Sequence, residues 1–341
     1  MKKIVIATLF CMVFATIANA DVFQAGGDRL TNLQNSDGGW GWPVTGASAT
    51  NTIGPIAMGL AQAYKNTGDT SQLAALQKAG GLLLGKAGNF SPSDGYLAVE
   101  LDNIFGTNAY SSYVKTNFYD KLAAGTYQRA GDATLYDTAA YVNRIRTIRS
   151  GDQANMAAWD IGMGLYAAKA IGADTTAWLA GTKAKIDELD SGNYYDVLGL
   201  AGAVLGLAST GEDYDPVAGS LSAASNLTDL ANILASYQIS SGGFTWNSGY
   251  LALGNETTQE TAYSILALNA MGSSFSGDVS LAQNYLKNVQ LANGGWENYL
   301  GNGENNEITG EALWAVSVPE PATICLLGLG ALSLISRKSR A

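Results

Sequence analysis

One short pattern limits what this chain can fold into. LQNSDGGWGW at 33–42 returns as YQISSGGFTW at 237–246, and QLANGGW stands at 290–296. Each copy reads Gln-x-x-x-Gly-Gly-aromatic: Gln34, Gly38, Gly39 and Trp40; Gln238, Gly242, Gly243 and Phe244; Gln290, Gly294, Gly295 and Trp296. Degenerate relatives stand at Gly88-Asn89-Phe90 and Gly192-Asn193-Tyr194. The aromatic positions fall 50, 104, 50 and 52 residues apart, which places one lost relative near residue 141. A fixed period is the mark of one supersecondary unit used repeatedly, because a single unit cannot bury its apolar face alone.

A second series shows what the unit is. Asn51, Asn89, Asn155 and Asn255 each precede a glycine by 17 residues: Gly68, Gly106, Gly172 and Gly272. Asn is a good helix N-cap and Gly the usual residue past a helix end, so each pair predicts a helix of about four turns. Asn306 predicts a fifth, and VLGLAGAVLGLA, running up to Gly211, a sixth that is apolar on every side and so buried all round. Between them lie more polar segments, roughly 22–35, 70–86, 108–125, 174–190, 221–238 and 278–291, with apolar spacing on one face. Six buried and six half-buried helices in alternation predict an all-α (α/α)6 toroid over residues 21–316: six hairpins in a closed ring that leaves no inner helix exposed. In each turn the Gly pair permits positive φ, the Gln bonds helix-end groups, and the aromatic fills the wedge between hairpins.

The turn resembles a known motif. Tyr285-Leu286, then Gln290 and Gly294-Gly295-Trp296, is similar to the QW motif of squalene and oxidosqualene cyclases. The resemblance implies the α/α-toroid domain those enzymes share with protein prenyltransferase β-subunits. Their catalytic signatures are missing here. No DxDD occurs, and Asp213-Tyr214-Asp215 is followed by Pro216. The prenyltransferase zinc set and the Cys-Gly-Glu-Gln thioester of complement-like toroids both need residues that the body lacks, so the likeness speaks for fold rather than activity.

Both ends read as addresses. MKKIVIATLFCMVFATIANA has a basic start, an apolar run and Ala18-Asn19-Ala20, which predicts a secretory signal over 1–20. Residues 317–341 hold Pro319-Glu320-Pro321, a short apolar stretch and a basic cluster of Arg337, Lys338 and Arg340. That order resembles the PEP-CTERM sorting tail of Gram-negative bacteria, with a short transmembrane sorting helix. The resemblance implies an exosortase-type enzyme as partner, a transient anchor in the inner membrane, and delivery to the cell envelope, surface or exterior.

The body between these ends has no histidine and no cysteine, since Cys11 and Cys325 lie in the two address segments. Disulfides, Cys/His zinc sites, and nucleophiles or bases that depend on imidazole are excluded. No cofactor is called for, and no metal site is predicted beyond the open case of a loop calcium. Of the 19 basic residues, five lie in the end segments against 29 acids in the whole chain, so the body carries a net charge near −15. Nucleic acid is therefore no partner.

Two constellations remain. Asp94, Asp160, Glu260 and Glu311 each stand five residues after one of the Asn positions, so a ring would gather them at one mouth of the cavity, with Trp42, Trp159 and Trp246 near. Carboxylates and aromatics in a concavity suit sugar, or acid/base work on a glycosidic bond; the same acids equally suit first-turn amides and the helix dipole. Arg129, Arg144, Arg146 and Arg149 fall in the longest inter-helix stretch, roughly 107–154, with Tyr127, Tyr136 and Tyr141. They read as a lip for anionic polysaccharide, or as local partners of Asp132, Asp137 and Asp152. The resulting expectation is an exported toroid with a structural or ligand-binding role near extracellular polysaccharide. A glycan lyase or hydrolase is the alternative, and a hydrophobic-ligand carrier the second.

Overall fold

The computed structural model describes residues 22–42 and 44–319. The signal segment, Glu320, Pro321 and the sorting helix lie outside the described residues. Among those described, no helix is long and apolar enough to cross a membrane.

Six helices form an inner ring: α2 (Ile53–Thr67), α4 (Ser93–Phe105), α8 (Met156–Ala170), α10 (Asp196–Thr210), α12 (Thr258–Ala270) and α14 (Asn306–Val316). Each packs on the next, and α14 returns to α2, so the ring is closed. Outside them stand α1 (22–33), α3 (Thr70–Leu84), α9 (Thr176–Asp187), α11 (Leu227–Ala235) and α13 (Ser276–Asn288). The sixth outer position is filled by α5 (Ala109–Val114), a π-helical turn (Lys115–Tyr119) and α6 (Asp120–Ala123). The described part is thus mostly helical, with the expected alternation of inner and outer rods.

The turn works as expected for its glycines and its buried aromatic, whereas the glutamine bonds the turn and the neighbouring helix rather than orphaned groups at a helix end. Gly38, Gly242 and Gly294 have φ of 92, 95 and 93°. A Cβ there would stand 2.4, 2.5 and 2.2 Å from the carbonyl oxygens of Lys78, Leu281 and Ala25, each on the next outer helix. The first glycine is therefore required twice, by its dihedral and by backbone approach. Gln34, Gln238 and Gln290 each donate from Nε2 to their own glycine carbonyl (2.9, 2.8 and 2.9 Å) and to Ala75, Asp278 and Val22 of the neighbouring outer helix (2.8, 2.8 and 3.1 Å). Trp40, Phe244 and Trp296 are fully buried, and both indoles donate back to their own outer helix, at Leu30 and Leu286.

The asparagine reading needs correction. None of Asn51, Asn89, Asn155 and Asn255 caps the following helix with its side chain. Asn306 is the first residue of α14, whose cap is Asn305. Asn155 instead bonds Asp190 and Tyr194 of the next hairpin, and Asn306 donates to Gly41 at 3.0 Å. The glycines hold: Gly68, Gly106, Gly172, Gly211 and Gly272 all have positive φ at or just past a helix end. Of the degenerate turns, Phe90 is buried as expected but Tyr194 is exposed, so it fills no wedge. At the lost relative the chain makes the β1–β2 hairpin (Tyr127–Gln128, Leu135–Tyr136) and an added helix, α7 (Thr138–Ile148). Tyr141 there packs edge-on to Phe118, Tyr127 and Trp178.

Glycines also narrow the ring. A Cβ on Gly59 would lie 2.1 Å from the Gly310 oxygen, and one on Gly162 2.2 Å from the Gly202 oxygen. Backbones of α2 and α14, and of α8 and α10, thus touch directly, as the Gly202-x-x-x-Gly206 spacing suggests for close helix packing. Aromatic side chains from α4, α8 and α14 meet across the ring. Tyr96, Tyr166 and Trp314 pack on one another with centroids 5.1–5.9 Å apart.

Candidate functional site

Because inner and outer helices alternate, all six inner helices start on one face. A circle of hydrogen bonds knits that face together. Lys86 donates to the Thr50 carbonyl, and Tyr127 to Gly88. Asn155 bonds Asp190 and Tyr194, and Asp196 accepts from Ser248. Thr258 bonds Glu297 and Asn298, and Asn306 bonds Gly41. Each inner-helix start is held by the next turn, so the rim is one continuous collar.

Inside the collar lies a band of carboxylates. Asp160 accepts from Arg149 Nε at 2.8 Å. Glu311 is fully buried, and accepts from Tyr263 at 2.9 Å and from Gln259 at 3.1 and 3.2 Å. Glu260 is buried against the Thr257 hydroxyl. Glu307 stands one turn before Glu311 on the same face of α14. Burial pushes all four upward. Glu260 reaches about 7, and Glu307 about 7 with the Asp160 charge adding and Arg149 opposing. Glu311 rises well above the usual range, with Glu307 as the second cause; Asp160 rises against the pull of Arg149. Trp159 sits edge-on to Tyr263, 5.2 Å between centroids.

Asp94 does not join the band. It is buried in an ion pair with Lys86 (2.6 Å) and accepts from Ser91 N just ahead of α4. Glu307 falls outside the Asn-based spacing that picks out the other three in the band, and its signal in the sequence is the i, i+4 spacing to Glu311. Asp196 falls outside that spacing too: it takes amides from Gly192, Val197 and Ser248 at the start of α10.

The three tryptophans are dispersed. Trp159 is inside, whereas Trp246 stands on the rim, stacked on Tyr250 (5.1 Å, 18°) and leaning on Tyr194 (5.1 Å, 39°). Trp42 is 59% exposed on a rim loop. Tyr195, beside this platform, has φ +61°, the one non-glycine with positive φ among the described residues. Such backbone strain is held in place only by over-determined surroundings and clusters at functional positions.

The arginines do not form one lip either. Arg149 is bound to Asp160 and Arg146 to Glu188. Arg129 and Arg144 have no ion-pair partner among the described residues and flank Tyr127 and Tyr141. The expected local acids are engaged elsewhere: Asp132 with Tyr136 and Thr134, Asp137 as the cap of α7. Burial pushes the Tyr127 hydroxyl up to about 12 and Tyr141 further, which opposes a role for either as a base.

Comparison with known proteins agrees with this architecture. Residues 317–340 match the PEP-CTERM protein-sorting motif, so the C-terminus carries that motif. It marks an exported protein sorted to the surface or envelope, and exosortase recognises such motifs. The structure is similar to that of polysaccharide lyase BACCELL_00875, at 13% identity and a TM-score of 0.54, covering 89% of this chain and 96% of that one. It is also similar to the type II terpene cyclase MstE from Scytonema in complex with geranylgeranyl dihydroxybenzoate, at 15% identity and a TM-score of 0.50, covering 89% and 97%. At such identities the likeness is one of fold, the α/α toroid. No curated protein sequence matches the chain.

Proposed function

We propose that this surface-sorted toroid binds extracellular polysaccharide at the rim of its collar, without catalysing its breakdown. The observation that carries the reading is the Tyr194–Trp246–Tyr250 platform, three aromatic rings in contact at an open rim. Two of them are exposed, and such faces stack on the C–H faces of pyranose rings. A binding role fits the carboxylates better than a catalytic one. Asp160 is tied to Arg149, Glu311 to Tyr263 and Gln259, and Glu260 to Thr257. That leaves Glu307 alone of the band without a hydrogen-bond partner for its carboxylate among the described residues, and one such group does not make the acid-and-base pair that glycoside cleavage needs. The tyrosines beside the arginines are poor bases for a lyase. The similar polysaccharide lyase supports the fold as a support for glycan recognition, and no more. A hydrophobic-ligand carrier is disfavoured by the packed Tyr96–Tyr166–Trp314 cluster across the ring.

The test is affinity electrophoresis of the full chain in gels containing soluble polysaccharides, with reducing-sugar and unsaturated-uronate assays alongside. Retardation by a polysaccharide, lost in Trp246→Ala with unchanged melting, is expected. Turnover of any of the polymers would overturn the non-catalytic reading, and retention unaffected by Trp246→Ala would remove the platform.

A further inference from the structure

Three loops on the collar face share a construction that the platform alone does not explain. They follow the buried aromatics Trp40, Phe244 and Trp296 and close with the antiparallel pairs Gly41–Ser48, Phe244–Thr257 and Glu297–Glu304. They belong to the first, fifth and sixth hairpins, which are neighbours once the ring closes. The bonds of Thr258 to Asn298 and of Asn306 to Gly41 place the sixth loop between the other two.

The three loops carry no charge at their tips. Residues 42–52, 246–255 and 298–303 contain no Asp, Glu, Lys or Arg, in a chain that is 14% charged. Their acids stand at the bases and are engaged there, Glu304 by Arg29 and Asn293 and the others by the loops themselves. Asp37 accepts from Ser48 and Gly39, Glu256 from Ser241 and Gly254, and Glu297 from Gly301 and Gly303. These bonds fix the tips before any ligand arrives, which lowers the ordering cost of binding. The tips present Trp42, Tyr250, Leu251, Leu253, Tyr299 and Leu300, the last 97% exposed and Leu253 69%. Large rigid aromatics among Gly, Ser, Thr and Asn form the composition that antibody loops use for adaptable, uncharged recognition.

We propose that these three loops form one extended subsite for an uncharged polysaccharide chain, running from the Trp246 platform across Tyr299 and Leu300 to Trp42. The inference rests on the glycan reading above and names its ligand class. Charge complementarity selects it. The tips offer no cation to a uronate or sulfate, and the net charge near −15 repels polyanions. A lipid surface is less suited, because these tips have no basic residues to meet anionic headgroups.

The experiment is affinity electrophoresis of the full chain against dextran, laminarin, galactomannan and hydroxyethyl cellulose, with polygalacturonate and anionic vesicles as contrasting probes. The expected result is retention by at least one neutral polymer, unchanged between 50 and 500 mM salt in order of magnitude. Tyr299→Ser with Leu300→Ser, and separately Trp42→Ser, should each weaken it by roughly fivefold or more with melting unchanged. Retention lost in Trp246→Ala but untouched by the tip variants would leave the platform standing and overturn the extended subsite. Retention by polygalacturonate alone, or adsorption to vesicles alone, would overturn the neutral ligand. No retention by any polymer would overturn both readings.

Discussion

At Gly38, Gly242 and Gly294 the chain makes one turn three times, with the same φ, the same glutamine clamp and the same buried ring. At Gly88 and Gly192 the glycine keeps φ 83° but the glutamine is gone, and only Phe90 is buried. The regular turns lie in the first, fifth and sixth hairpins, and the seam where the chain's beginning meets its end falls between the sixth and the first. Elsewhere chain continuity brings neighbouring hairpins together. At the seam nothing covalent does so: Gln290 holds Val22, Gly294 rests on Ala25, and Arg29 binds Glu304 at 2.6 Å. The other half departs from the pattern. It carries the β1–β2 hairpin, α7 and the π turn, and fills its wedges with a tyrosine-rich cluster.

That contrast can be broken by substitution. The largest effect is expected for Gly294→Ala, which adds a Cβ against the Ala25 carbonyl at positive φ. A loss of about 3 kcal/mol or more in urea unfolding is predicted, against about 1 kcal/mol for Gly88→Ala, whose Cβ would meet its nearest neighbour at 3.2 Å. Equal losses would mean that the seam is not special. Next comes Asp94→Asn in the irregular half. It leaves Lys86 charged and buried, for a loss of about 3 kcal/mol in the same measurement, with Lys86→Met with Asp94→Leu recovering most of it. Gln290→Leu should cost about 1–2 kcal/mol, and Gln238→Leu less, since only the former spans the seam.

The carboxylate band sets the pH dependence. Glu260 and Glu307 are raised from an ordinary 4.5 to about 7, so the folded chain holds protons that the unfolded chain has released. Their contribution is fully present below about pH 4.5 and lost as the pH rises through about 7. Melting measured by circular dichroism should therefore fall between pH 5 and pH 8, and Glu260→Gln should flatten part of that fall. The smallest effect is expected at the loop tips: Trp42→Ser and Leu300→Ser should change stability by less than about 0.5 kcal/mol.

Much of the ring could be read from residues alone, for definable reasons. Gly294 was legible because positive φ leaves few other residues, and Trp296 because a large ring at a fixed offset has to be buried. Asn155 and Asn306 were misread because asparagine both caps helices and bridges backbones. Their partners lie 35 and 265 residues away, beyond any local pattern. The site was less legible for the same reason. Asp160 on α8 and Glu307 on α14 come within electrostatic reach only because the ring closes, and Arg149 reaches Asp160 from the end of α7. Nothing in the spacing of Trp42, Trp159 and Trp246 distinguished one inside the axis from two on the rim.

The central claim is that the ring is closed between α1 and α13–α14. Arg29→Cys and Glu304→Cys, placed in a chain with Cys11→Ser and Cys325→Ser, test it through cross-linking by a short bis-maleimide at low protein concentration. The closed ring predicts rapid, intramolecular cross-linking that urea abolishes. An open superhelix would hold the two thiols far apart, and the absence of that cross-link in the folded protein would contradict the account.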